Sequence, residues 1–134
     1  MSRPEIAARL RDNGVQPTPQ RMEVAEILLD RPQHLSAEQL LERLRAKGSR
    51  VSKATVYNTL NLFSECGLVR ELSIDPSRKF YDSTTCAHHH FFHVESGRLS
   101  DIPHEQIRIM GLPELPSGTE QESVEVLIRI RDRQ

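Results

Sequence analysis

"SKATVYNTLNLFSECGLVREL", residues 52–72, decides how the chain is read. Ser52 stands where a helix cap belongs, because its hydroxyl takes up a free N–H of the first turn. Val56, Leu60 and Phe63 recur at i, i+4 and i+7, the spacing of one buried helical stripe. The opposite face carries Lys53, Thr55, Tyr57 and Asn58 near its start. Beyond Gly67, residues 68–74 and 78–84 read as two strands joined by Asp75-Pro76-Ser77, a hairpin.

Three more helices precede this stretch. Residues 4–13 form a short one, ended by Gly14. "TPQRMEVAEILLDR" follows, with Thr18 as cap, Pro19 in the first turn and Met22, Ala25, Ile27, Leu28 and Leu29 apolar. In "SAEQLLERLRAKG" Ser36 and Gln39 make a capping box and Gly48 is the stop. The short leading helix aside, three helices and a hairpin outline a winged helix-turn-helix. Such a fold sets the first residues of its second helix in the major groove. Those are Ser52, Lys53, Thr55, Tyr57 and Asn58. Lys and Thr suit phosphates, Asn suits adenine, and a Tyr ring meets a thymine methyl. Arg21, Arg78 and Lys79 are the candidates for flanking phosphates.

After residue 83 the texture changes. "HHFFHVE" and "GRLSDI" read as strands paired around Ser96-Gly97, and "LPELPSG" as a proline-rich loop. "SVEVLIRI" alternates, with Val124, Val126, Ile128 and Ile130 on one face. So short a segment buries little core alone, and a second copy of the chain is the remedy. The expected class is α+β: a winged helix-turn-helix domain over 1–83, then a small α/β dimerisation and metal-sensing domain over 84–134.

The 134 residues carry 18 basic and 19 acidic side chains, so any nucleic-acid surface is a local patch. Residues 1–83 hold 13 basic against 11 acidic, and the remainder 5 against 8. No apolar run is long enough to span a membrane and no apolar signal segment opens the chain. A cytoplasmic protein with no membrane contact is expected. Cys66 and Cys86 are in no CxxC spacing, which excludes a structural zinc held by four cysteines of one chain. A reducing compartment argues against a disulfide.

Four of the six histidines lie in "HHHFFH", residues 88–93. Side chains alternate along a strand. His88 and His90 therefore share one face, and His89 and His93 the other. Each pair needs ligands from elsewhere. For the first pair Asp82 ends the hairpin, Asp101 sits on the next strand, and His34 lies in the loop before the third helix. For the second, Glu105 or Glu122 can approach, making a second metal site or a haem site, unless His89 is simply exposed. His104 reads as solvated.

"PTPQRMEVAEILL", "HLSAEQLLERLRAKG" and "SKATVYNTLNLFSECGLVREL" resemble the Fur family of metal-responsive transcription regulators. The similarity covers nearly the whole chain, and "ATVYNTLNLF" is its most specific run. The HHH run and the ending "LPELPSGTEQESVEVLIRIRDR" are most similar to the iron response regulator (Irr) branch. The resemblance implies a repressor that binds double-stranded palindromic operator DNA as a homodimer, with higher oligomers on DNA open, and controls iron-homeostasis genes. It also implies a regulatory metal site at His34, Asp82, His88, His90 and Asp101. Three imidazoles and two carboxylates suit Fe2+, Mn2+ or Zn2+. The family's usual CxxC is replaced by His93 and Ser96, so no structural zinc is expected there. The branch is associated with haem through its HHH run, but the Cys-Pro haem motif of some members is absent, as Cys66 precedes Gly67 and Cys86 precedes Ala87. In this branch binding can be favoured when iron is scarce, and the sequence leaves the sign open. The rivals are a metal-handling or interaction module and a His/Asp metalloenzyme. Against the enzyme, the chain has no nucleophile motif and no phosphate loop.

Overall fold

The computed structural model describes residues 1–85 and 88–134. The chain divides into two compact units, Met1–Thr85 and Cys86–Gln134. Cys86, and with it half of the cysteine expectation, lies outside the described residues.

The first unit runs α1 (Arg3–Asp12), α2 (Pro19–Leu28), β1 (His34–Ser36), α3 (Ala37–Ala46), α4 (Lys53–Glu65), β2 (Arg70–Asp75) and β3 (Arg78–Asp82). Its helices start where capping chemistry puts them. The Thr18 hydroxyl accepts from the Arg21 amide at 3.4 Å, and Ser52 accepts from Thr55 at 3.1 Å. At Ser36 the box is reciprocal: Gln39 N–H to Ser36 Oγ at 3.1 Å, and Ser36 N–H to Gln39 Oε1 at 2.9 Å. Val24, Leu28, Leu40, Leu44, Val56, Leu60 and Phe63 interlock in one buried cluster, which presses the three main helices together. No helix among the described residues is long and apolar enough to cross a membrane.

The turn from α3 to α4 and the exit from α4 use the same device. Ser49 N–H bonds to Leu44 O at 2.9 Å and Gly48 N–H to Arg45 O at 3.0 Å. Leu68 N–H bonds to Phe63 O at 2.9 Å and Gly67 N–H to Ser64 O at 3.2 Å. Each is a Schellman closure, which places the glycine in the left-handed region. Gly67 has φ 78°, and nothing lies within 4 Å of a Cβ built on it. Gly67→Ala therefore meets backbone strain and no clash. It should cost about 1–2 kcal/mol of stability, read as a lower urea midpoint at unchanged m-value.

The wing has three strands, in the order β1-β3-β2. His34, expected in a loop, lies on β1 with Asp82 directly opposite. The reason is the free edge of β3, whose unpaired backbone groups need partners. The edge is taken up by the lead into α3: Ser83 N–H donates to Gln33 O at 3.0 Å, and Gln33 N–H to Ser83 Oγ at 3.0 Å. Asp75 stays in β2 paired with Arg78, so the loop proper is Pro76-Ser77. Its carboxylate accepts from Ser77 N–H at 2.9 Å and sets the bend.

The second unit contains β4 (His89–His93), β5 (Arg98–Ile102) and β6 (Leu127–Ile130). The order is β5-β4-β6, with β4 and β5 antiparallel and β4 and β6 parallel. The α/β content expected here narrows, among the described residues, to one 3-10 turn at His104–Gln106. Between it and β6, Gly111, Pro113, Pro116 and Gly118 break any helical or strand period. β6 is also shorter than the alternation from Ser123 suggested. Val124 and Val126 precede it, and Ile128 and Ile130 are 39% and 38% exposed.

Candidate metal centre and nucleic-acid interface

The strand β4 sorts the histidine run onto two faces. On one, cross-strand pairing sets His90 opposite Asp101. His88 Nε2 lies 3.0 Å and His90 Nε2 3.3 Å from the same oxygen, Asp101 Oδ1. The two rings tilt toward one another with centroids 4.3 Å apart. His90 is 4% exposed. Two imidazole nitrogens and a carboxylate oxygen thus converge on one small volume, a nitrogen and oxygen donor set that fits a borderline or hard divalent ion.

The first unit brings its own two candidates together. His34 and Asp82 are cross-strand partners, and Asp82 Oδ1 accepts from the Thr84 amide at 2.8 Å. Asp82 is buried. A buried carboxylate persists when it is hydrogen-bonded and has a cation to face.

The other face of β4 behaves differently. His89 is buried, where exposure was one of the expectations. Its Nδ1 takes the Val126 amide at 2.8 Å, and its ring stacks on His104 with centroids 5.8 Å apart. A backbone N–H only donates, so Nδ1 is the acceptor and the neutral ring carries its hydrogen on Nε2. Neither nitrogen is then offered to a metal or to haem iron. His93 is fixed in the same way. The Ser96 amide donates to its Nδ1 at 3.1 Å, and its Nε2 meets Asp132 Oδ1 at 2.7 Å. Glu95 closes the group, accepting from the Asp132 amide at 2.9 Å. His93, Glu95 and Asp132 offer donor atoms within 4.8 Å of one another. Yet the tautomer the Ser96 amide selects turns an N–H toward Asp132, and the set works as a hydrogen-bonded clip. His89, His93, Glu105 and Glu122 are therefore not brought together: Glu105 and Glu122 are exposed, and β4 gives its two outer-face histidines separate tasks. Spacing showed the two faces; it could not show that Val126 and Asp132 return to β4.

On α4, Lys53 and Asn58 are exposed, while Thr55 and Tyr57 are half-buried. Ser52 and Thr55 bond to one another, hydroxyl to hydroxyl at 2.9 Å. Tyr57 Oη donates to Glu38 Oε1 at 2.6 Å, a partner that sequence reading missed, since Glu38 belongs to another helix. The bond from Tyr57 holds the Glu38 carboxyl below its ordinary range and pushes the Tyr57 hydroxyl up. Tyr81, behind them, is pushed up to about 12, by burial first. In the wing Arg78 lies 4.0 Å from Asp75 and Lys79 3.4 Å from Glu71, both pairs near the surface. Arg21 donates to Gln16 O at 3.1 Å.

A winged helix-turn-helix and a histidine–carboxylate cluster in one chain define the class of metal-responsive transcription regulators. The sequence pattern of the ferric uptake regulator family matches residues 12–125, and the chain belongs to that family. The peroxide-responsive repressor of Staphylococcus epidermidis is 33% identical over 103 residues, 77% of this chain and 69% of that protein. The ferric uptake regulator of Pseudomonas aeruginosa, solved with manganese, has a TM-score of 0.67 at 23% identity, covering 95% of this chain and 97% of its own. That of Vibrio cholerae gives 0.71 at 20%, covering 94% and 98%. At such identities the superpositions speak for the fold alone. The protein is thus a transcriptional regulator of the family, not an enzyme, and its His/Asp groups are able to hold a metal ion.

Proposed function

We propose that the chain binds palindromic operator DNA as a homodimer and controls iron-homeostasis genes in answer to a divalent metal ion, in the manner of iron response regulators. The observation that carries the reading is the convergence of His88 and His90 on Asp101. His34 and Asp82 complete the ligand set from the first unit. These residues would hold a divalent ion, whose positive charge would offset their carboxylates and favour the imidazoles as neutral ligands. The ligands then favour one arrangement of the two units, and such differential affinity is what shifts a conformational equilibrium. In a dimer that arrangement sets the separation of two α4 helices against half-sites about one helical turn apart.

Support for DNA comes from α4 and the wing, where Lys53, Asn58, Arg78 and Lys79 are exposed. Support for self-association comes from the second unit. Apart from Met1, every exposed large apolar side chain among the described residues lies there, Val94, Met110, Leu112, Ile128 and Ile130 included. Haem has less support than a metal ion, since Nδ1 of His89 is taken by Val126.

The test is binding to a duplex selected by the protein from a random pool, with and without Fe2+, Mn2+ and Zn2+. Binding that is specific, salt-dependent and shifted by at least one metal is expected. A metal-handling module would bind the ion and ignore DNA. Lys53→Ala should weaken selected and random duplexes alike and flatten the salt slope by about one ion.

A further inference from the structure

We infer that Glu38 is a positioning residue for DNA reading: it holds Tyr57 in one attitude on α4 and thereby sets the discrimination between operator and random DNA. The inference rests on the DNA-binding reading above and adds a residue to it. The Tyr57 ring is anchored at both ends. Its base packs against the helical core, and its hydroxyl donates to Glu38 on α3 at 2.6 Å. A ring with two side-chain torsions, fixed at root and tip, keeps one orientation before DNA arrives. Lys53, one turn earlier, stands 6.0 Å from the ring centroid on the same surface.

Two consequences follow for recognition. The hydroxyl's hydrogen is already committed to Glu38, so Tyr57 has no donor left for a base and offers its ring carbon, which suits an apolar substituent such as the thymine methyl. The Glu38 carboxylate also stays charged, its pKa held down chiefly by the tyrosine bond. With Tyr57, Arg78 and Lys79 it lines a cleft of about 430 Å³ between the helices and the wing. A fixed negative charge there opposes a misplaced phosphate, while Lys79 and Arg78 accept a correctly placed one. Register errors are penalised without weakening the right register, which is specificity by repulsion.

The experiment compares wild type, Glu38→Ala, Glu38→Gln, Tyr57→Phe and the Glu38→Ala/Tyr57→Phe pair, each with Mn2+ present. Affinity is measured for a duplex selected by the wild type and for a random duplex of equal length. Tyr57→Phe should cut the selected-to-random ratio about tenfold, Glu38→Ala at least as far because it also removes the charge, and the pair no further than Glu38→Ala alone, because both remove one contact. Glu38→Gln keeps an acceptor and should restore most of the ratio, with random binding somewhat tighter. A second readout needs no DNA. Ultraviolet titration of the tyrosines should find the Tyr57 transition moving down in Glu38→Ala, since that bond is what raises it first. Equal losses on both duplexes, or additive losses in the pair, would reduce Glu38 to helix support and overturn the inference. If the tyrosine shift appears but wild type selects no duplex, the DNA-binding reading itself falls, and the inference with it.

Discussion

His90→Ala should remove the proposed response of DNA binding to divalent metal, whichever way that response runs. The ring supplies one of the two imidazole nitrogens facing Asp101, and no neighbour on β4 can replace it. Losing even an outer partner of a metal ligand costs about 10–100-fold in affinity, and a direct ligand costs at least that. On the proposed ligand set, His34→Ala should have the same effect although it lies in the other unit. His89→Ala is the control. It should leave the metal response intact while loosening the approach to β6, since it deletes the acceptor of the Val126 amide. Titrating Mn2+ or Fe2+ into each variant while following binding to the selected duplex gives the answer. Equal loss of response in His89→Ala and His90→Ala would require the ligand set to be redrawn.

The second large effect is expected at Ile128. Its side chain is 39% exposed on β6, on the strand whose alternation first suggested a partner. In a lone chain Ile128→Asp turns its carboxylate to water at little cost. Across an apolar interface the same charge has no such escape, and ~3 kcal/mol corresponds to a dimer weakened about a hundredfold. Sedimentation velocity over a micromolar dilution series separates the two cases. A wild type that stays monomeric there would remove the dimer from the proposal.

Why some features were legible in the sequence and others were not is a matter of range. Ser36, Ser52 and Thr18 announce their helices because a cap reaches three residues along its own chain. Val56, Leu60 and Phe63 do so because burial imposes a period. The split of His88 and His90 from His89 needed only the pleat of a strand, and the hydrogen bonds of the two faces bear it out. β1 was invisible because three residues of strand exist only by virtue of an edge some 45 residues later. The return of the last segment to β4 was illegible for a related reason. A segment rich in proline and glycine carries no period, so nothing in it foretells which amide or carboxylate returns to β4. It is Val126 and Asp132 that do. Tyr57 was noticed for what it offers DNA, whereas its bond to Glu38 is a fact of how two helices cross.

The clip at His93 changes what a chelator does to this protein. Ser96, Asp132 and Glu95 close the sheet around one imidazole through hydrogen bonds that the chain supplies itself. Where a structural ion ties a sheet, stripping metal erases scaffold and message together. On the proposed ligand set the two are uncoupled. An ion at His88 and His90 would come and go while His93 keeps its bonds to Ser96 and Asp132. A chain made under metal starvation should then fold all the same, so that the absence of the ion reaches it as information, not as damage.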